Sequence, residues 1–294
     1  MRRLALLLAA AWVLPGAGAA QDSPSVTRNP DIIVRPPASE SERRKELRAF
    51  LRQMIRPPRM GHPVAKLLYP VCVKVLGLAP EDAATIAERI RENADALGIG
   101  ADRAADCVPS VRVAFMAPGA GPPETWLSMG SSQLAHLAAY ERARVLAETG
   151  PVRAWNKIAV RDSSGRPMPV GETSWTDSQP RSRSDPLVTT EITGAAVLIS
   201  QEAADGLTLD QLADYATMRA LLGTGAVEGN APVRTILTLF DDPAPPEGLT
   251  EYDRTLVREL YDASRNATPR RVYNDIARAV VATERSDRRE NAAP

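Results

Sequence analysis

The chain has 294 residues, of which 44% are hydrophobic, and it carries 36 Lys and Arg against 36 Asp and Glu. This length and apolar content suffice for a folded domain with a substantial core, which excludes a wholly disordered protein. Because the charges balance, the chain has no single-sign field that would attract nucleic acid, and we expect no nucleic-acid partner.

The N-terminal twenty residues have the pattern of a secretory signal peptide. Met1 to Arg3 is basic, Leu4 to Leu14 is an apolar run, and small residues follow up to Ala20. The apolar run is too short to span a bilayer, which requires about twenty residues. We therefore predict a signal peptide over residues 1–20, cleaved near Ala20, and a periplasmic or secreted mature protein with no integral membrane segment.

Residues 21–40 are rich in Pro, Ser and Asp, which predicts a flexible tether. Ser39 and Glu42 have the spacing of a capping box, and they begin an amphipathic helix that stops before Pro57. The opposite face of this helix is basic and contains Arg43, Arg44, Lys45, Arg48 and Arg52. That face is either a solvated surface interspersed with Glu or a docking face, over residues 41–56, for acidic lipid or an envelope partner.

The sequence pattern of residues 68–117 predicts a strand, a helix and a second strand in this order. The strands are predicted near Val71–Val75 and over Val111–Met116, with a helix that begins at Pro80 between them. Cys72 and Cys107, the two cysteines of the chain, lie beside these strands. In an oxidising compartment they are expected to form a disulfide that staples the unit, which is worth about 3–4 kcal/mol for a loop of this length.

The second half of the chain predicts further strands and helices. A helix is expected over 131–149, followed by a strand that runs into a turn at 162–165. A polar excursion at 171–186 precedes the apolar strand TTEITGAAVLIS. Thr208 and Gln211 then form a T-x-x-Q capping box for a helix that Gly223 ends, and two more helices begin at Thr250 and Pro269.

Together these elements predict the α/β (α+β) class, with a mixed sheet packed by helices in a single domain over residues 41–285. The charged residues 286–294 are predicted to form a disordered tail.

The sequence offers few residues for catalysis. With two His, at 62 and 136, a His-rich metal site cannot form, and we predict neither a metal nor another cofactor. A Cys nucleophile assisted by either His would require the two thiols to stay reduced. Carboxylates remain: Glu191, Asp241 and Asp242 are weak candidates for acid–base chemistry, and they lie in the same part of the chain as Asp205, Asp210 and Asp214.

One stretch of the chain carries a family resemblance. The segments QLADYATMRALLG and ILTLFDDPAPPEGLTEYDRTLVRELYDA, within about residues 209–263, resemble exported proteobacterial proteins of unknown function with a zincin-like C-terminal layout. The signal peptide, the Cys pair and the GLxxEDAxxIAxRI helix are similar to small exported proteins of alphaproteobacteria. The resemblance places Ala216, Thr217 and Ala220 where a zinc peptidase has His, Glu and His, so it implies a degenerate metallopeptidase that cannot hold zinc in this way.

These observations favour a non-catalytic binding or interaction protein of the bacterial periplasm, in the manner of a pseudo-peptidase. Its partner would be an envelope protein or a small ligand, neither of which the sequence identifies. The alternative is a metal-independent hydrolase that uses paired carboxylates, with the 171–186 excursion as a lid.

Overall fold

The computed structural model describes residues 39–55, 62–162, 164–168, 188–227 and 231–290. The α-helices in this part of the chain are α1 (Glu40–Met54), α2 (Pro80–Ala96), α3 (Ala139–Leu146), α4 (Gln201–Ala204), α5 (Leu209–Leu221), α6 (Glu251–Asp262) and α7 (Pro269–Glu290). The strands are β1 (Lys66–Leu67), β2 (Val73–Leu76), β3 (Val111–Met116), β4 (Val152–Arg161), β5 (Pro167–Met168) and β6 (Thr189–Ser200).

The strands form one mixed sheet, as predicted, in the order β2-β3-β6-β4-β5, with β1 paired to β6 beside β3. β2, β3 and β6 are parallel, in a register that places Val73 opposite Val111 and Val111 opposite Ala195. β4 runs antiparallel to β6 over most of its length. The carboxyl ends of three neighbouring parallel strands therefore meet at one edge of the sheet, and β2 is an outer strand.

The predicted strand–helix–strand unit is β2, α2 and β3. Pro80 occupies the first turn of α2, and Glu81 and Asp82 follow it, where acidic side chains are favourable beside the positive helix terminus. The predicted disulfide is confirmed: Cys72 and Cys107 are bonded, with their Cα atoms 6.1 Å apart. Cys72 directly precedes β2, so the disulfide ties the start of the outer strand to the loop between α2 and β3.

The main core lies between one face of the sheet and the helices. Helix α5 is its centre, because every residue from Gln211 to Leu221 is buried. The predicted capping box is present: the Thr208 hydroxyl accepts from the Gln211 backbone N–H at 3.1 Å, and the Gln211 side chain accepts from the Thr208 N–H at 3.0 Å. From Gln211 to Leu221, α5 is therefore a central scaffold element of the core.

The opposite face of the sheet is covered by a thinner layer that the sequence did not predict correctly. Its small apolar cluster contains Leu127, Leu134, Leu137, Val145 and Trp155. The single helix expected over 131–149 is wrong, since a 3-10 turn at Ser132–Leu134 is followed by a separate helix, α3. The chain restarts at Ala138, whose N–H donates to the Glu141 carboxylate at 2.9 Å.

Several predicted segments lie at or beyond the limits of the described residues. The signal peptide, nearly all of the tether and the 171–186 excursion lie outside them, although residue 40 of the tether is already helical in α1. The predicted tail begins too early, because α7 continues to Glu290. No helix in the described ranges is long and apolar enough to cross a membrane.

Candidate ligand-binding cleft

A cleft of about 600 Å³ opens at the carboxyl ends of β2, β3 and β6. Its walls come from the residues that follow each strand: Gly77 to Ala79 after β2, Pro118 after β3, and Gln201 to Asp205 after β6. Open α/β sheets bind ligands outside the carboxyl ends of their strands, and pockets of a few hundred Å³ accommodate small ligands or side chains. Both position and size therefore make this cleft the candidate binding site.

Two contacts at Gly77 hold the walls of the cleft together, a close approach of two backbones and a hydrogen bond from a side chain. Gly77 has φ = +84°, and a Cβ added there would lie 2.1 Å from the Phe115 carbonyl oxygen, so only glycine fits the β2–α2 turn. The Gln201 side-chain amide donates to the Gly77 carbonyl oxygen and so joins α4 to this turn across β3. The site is thus formed before a ligand arrives, which lowers the entropy cost of binding.

The floor of the cleft is apolar and its rim is acidic. Phe115 and Leu212 are buried beneath it, while Leu78, Leu207 and Leu209 are partly exposed. The charged residues that line the cleft are Glu202 and Asp205, and both are exposed. This arrangement can hold an apolar group and place a positive charge beside it.

A second cavity, beside Ala65, Trp155 and Gly223, has a volume of about 50 Å³. A space of that size accommodates a few water molecules but not an organic ligand of ordinary dimensions. The cleft at the strand ends is therefore the better candidate.

Glu191, the first predicted catalytic carboxylate, has a structural role. It lies on β6 next to β1, is 2% exposed, and accepts a 2.6 Å hydrogen bond from the Arg161 Nε of β4. The Glu191 carboxylate in turn raises the pKa of Arg161. An ion pair across two strands fixes both side chains, so the geometry favours a role in sheet pairing.

Asp241 and Asp242 lie elsewhere, in the turn between a 3-10 segment (Ile236–Thr238) and α6. The Asp242 carboxylate accepts from the Ala244 N–H at 2.9 Å, which is the local turn bond that Asp commonly makes. These two acids therefore lie in a turn, whereas Glu191 lies on a strand of the sheet.

The remaining acids of the predicted group separate into buried and exposed residues. Asp214 is fully buried in α5, where its carboxylate accepts bonds from Arg89 at 2.9 and 3.0 Å and from the Leu249 N–H at 2.8 Å. Asn93 adds a 2.6 Å bond to the same carboxylate. Asp205 and Asp210 are exposed, at either end of the short loop that joins α4 to α5.

A buried ion pair that the sequence did not predict joins Glu148 to Arg219, which are 2% and 0% exposed at their side chains. Arg219 Nη1 also donates to the Tyr215 hydroxyl at 2.6 Å, and Arg219 Nε donates to the Thr224 carbonyl at 3.2 Å. Glu148 accepts from the Ala226 N–H at 2.9 Å. The two partners lie far apart in sequence, so the one local signal was a charged residue, Arg219, among the apolar residues at the end of α5.

The positions that the zincin resemblance singles out are inside the protein. Ala216 and Thr217 are 0% exposed and Ala220 is 1% exposed. The Thr217 hydroxyl donates to the Ala213 carbonyl at 2.8 Å and accepts from Asn93 at 3.1 Å, so it belongs to the polar network around Asp214. This face of α5 packs into the core and does not open into the cleft.

His62 and His136 are not joined to a thiol nucleophile, because both cysteines are in the disulfide. His62 is buried, whereas the His136 side chain is largely exposed. Desolvation of the covered part of His136, together with the nearby charge of Lys157, lowers the pKa of His136. In the ranges that the structure describes, no group of three or more His, Cys, Asp or Glu is arranged to hold a metal ion.

Comparison of the chain with protein-family models, curated proteins and solved structures gives no match. The assignment of the site therefore depends on its geometry alone.

Proposed function

We propose that the protein is an exported, non-catalytic binding domain that takes its partner in the cleft at the carboxyl ends of β2, β3 and β6. The observation that carries this proposal is the preformed cleft of about 600 Å³ with an apolar floor, in the position where open α/β sheets bind ligands. The apolar floor supplies affinity through burial, and the rim acids supply selectivity.

The positions of the carboxylates favour binding over the alternative, a hydrolase with paired carboxylates. Such an enzyme needs two carboxyl groups on opposite sides of the substrate, about 5–10 Å apart. Glu191 is engaged by Arg161, and Asp242 closes a turn. Glu202 and Asp205 do line the cleft, but they come from the same short helical segment and so from the same wall.

The proposed compartment is the periplasm, or the exterior of the cell, after cleavage near Ala20. Two observations support it: the signal-peptide pattern of residues 1–20, and a disulfide of the kind that persists in oxidising compartments. Fractionation of the expressing cell, with N-terminal sequencing of the product, tests this. We expect the exported protein to begin at Ala20 or Gln21, and recovery of the uncleaved chain in the cytoplasm would contradict it.

The binding function is tested by screening the mature chain against a panel of synthetic peptides and following backbone amide shifts by NMR. We expect the residues that shift to be those around the cleft, chiefly Gly77 to Ala79 and Gln201 to Leu209. Binding whose shifts cluster on another surface would overturn the proposed site. Hydrolysis of a peptide or glycoside by the mature chain, lost in E202Q/D205N, would favour the enzyme instead.

A further inference from the structure

The electrostatics of the cleft extend beyond its two lining acids. Glu81 and Asp82 lie in the first turn of α2, which begins at Pro80 after the wall residue Ala79, and Asp210 lies in the first turn of α5. Glu202 and Asp205 line the opening itself, whereas these three acids lie close in the chain to the lining residues Ala79 and Leu209. Arg89 of α2 is hydrogen-bonded to Asp214, which raises the pKa of Arg89, and the nearby charge of Asp210 adds to this increase. The charged side chains that line the cleft are both acidic, so they favour a cation there.

The outer strand β2 leads directly into this cleft. The chain before it is covered, because Val71 pairs with Ala101. Among the described strands, Val73 to Leu76 form the edge of the sheet; Arg91 Nη2 donates to the Val73 carbonyl at 3.4 Å, and the strand becomes more exposed toward Leu76, which is 46% exposed. An extended segment of another chain can add to such an edge through backbone hydrogen bonds. Its continuation beyond Leu76 would lie in the cleft that begins at Gly77.

We propose that the occupant of the cleft is an extended segment of a partner protein that carries Lys or Arg beside an apolar side chain. This inference rests on the proposed function, since it names the chemistry of the partner for the same site. Three features carry it: the apolar floor, the two carboxylates that line the cleft, and the partly exposed edge strand that continues into the cleft.

In this arrangement the apolar side chain packs on Leu207 and Leu209, and the cation lies between Glu202 and Asp205. Burial of the apolar group supplies most of the affinity. The exposed carboxylates are screened by water and salt, so they contribute mainly to selectivity and to the association rate. An acidic segment of the same shape would place like charges side by side and be rejected.

The test uses the mature chain and three fluorescent peptides of the same extended apolar pattern, which differ only in carrying Lys, Gln or Glu at the polar positions. Anisotropy titrations at low and high salt give the affinities, and NMR shifts locate each bound peptide. We expect the Lys peptide to bind about tenfold more tightly than the Gln peptide at low salt, with the Glu peptide weakest, since two or three screened ion pairs supply that much selectivity.

The E202Q/D205N variant should bring the Lys peptide to the affinity of the Gln peptide and remove most of its salt dependence. The matched control is E251Q/D287N, which neutralises two exposed acids on α6 and α7. It should change neither the affinity for the Lys peptide nor the salt dependence of that affinity. Equal binding of all three peptides in the cleft would overturn the cationic preference but leave the binding function intact. Three outcomes would overturn both the cationic preference and the proposed binding function. These are absence of binding by the Lys peptide, NMR shifts on another surface, and self-association of the chain through the cleft.

Discussion

The carboxylates inside the protein and those around the cleft differ in what surrounds them. Asp214 is fully buried and accepts four hydrogen bonds, and Glu148 is buried against Arg219. Glu202 and Asp205 are exposed beside an apolar floor. Burying a charge is costly unless it is paired and hydrogen-bonded. The hydrogen bonds that satisfy the two inner acids also join separate elements of the fold. Glu202 and Asp205 are exposed instead, and they lie where a partner in the cleft would contact them.

This contrast changes the interpretation of the acid-rich region between Glu191 and Asp242. Proximity in sequence suggested one group of chemically similar residues. The fold distributes them among a sheet ion pair, a core network, a turn and a cleft rim. The predictions below set the inner acids against the rim acids, with the largest expected effect first.

Breaking the innermost ion pair should cost the most stability. R219M leaves the buried Glu148 carboxylate without its cation, and we expect a loss of about 3–5 kcal/mol in the free energy of unfolding. Urea denaturation of the mature chain measures it. The double variant E148M/R219M should lose less than R219M alone, because it removes the stranded charge. A loss below about 1 kcal/mol for R219M would be well under the usual cost of an unpaired buried ion. Such a result would mean that the ion pair is dispensable for stability.

A matched pair of Asp variants compares the two regions directly. D214N removes the charge that Arg89 and Asn93 surround, and replaces one acceptor oxygen by a donor that faces other donors, so about 2–3 kcal/mol should be lost. D205N, on the exposed rim, should stay within about 0.5 kcal/mol of the parent chain. Thermal and urea unfolding of both proteins provide the comparison. Equal effects would remove the distinction between inner and rim acids.

Burial also affects a cation, Lys66, which is 4% exposed on β1 and donates to the Ala263 carbonyl at the end of α6. Burial lowers the pKa of Lys66 to about 8, from 10.5. Between these values the unfolded chain binds more protons than the folded protein, so stability should rise from pH 8 to pH 10, by about 1–2 kcal/mol. Unfolding curves across this range test the sign, and K66M should remove the increase. A decrease in the parent chain over the same range, shared by K66M, would contradict it.

The smallest effect on stability is expected at the cleft rim as a whole. E202Q/D205N should change the free energy of unfolding by no more than about 0.5 kcal/mol, because exposed charges away from special features contribute little. Removal of repulsion between Glu202 and Asp205 would make the change slightly stabilising. A loss above about 1.5 kcal/mol, beyond that usual surface range, would show that these residues are structural after all.

Local signals predicted much of the fold. The Pro80 start of α2, the Thr208 capping box of α5 and the period of β3 and β6 are encoded by residues that lie next to one another. The break before α3 was missed, because Leu134, Leu137 and Val145 have a spacing that also suits one continuous helix. Packing against Trp155 of β4 involves a distant residue, and it competes with that local pattern.

The candidate site was harder to predict than the elements that form it. Its walls come from residues around 77, 118 and 201, which only the parallel pairing of β2, β3 and β6 brings together. Glu202 was not singled out, since nothing around it in the sequence marks it from other exposed acids. Once strand order is known, the residues that follow each parallel strand are the natural place to search.

The central claim is that the cleft is where this protein binds its partner, and filling the cleft tests it most directly. A204W places a large side chain on the cleft wall, and A282W places the same side chain on an exposed face of α7. Affinity for the Lys peptide should fall at least about tenfold in A204W, since the indole takes the place of the apolar anchor, and stay unchanged in A282W. Equal affinity in the two folded variants would contradict the assignment of the site.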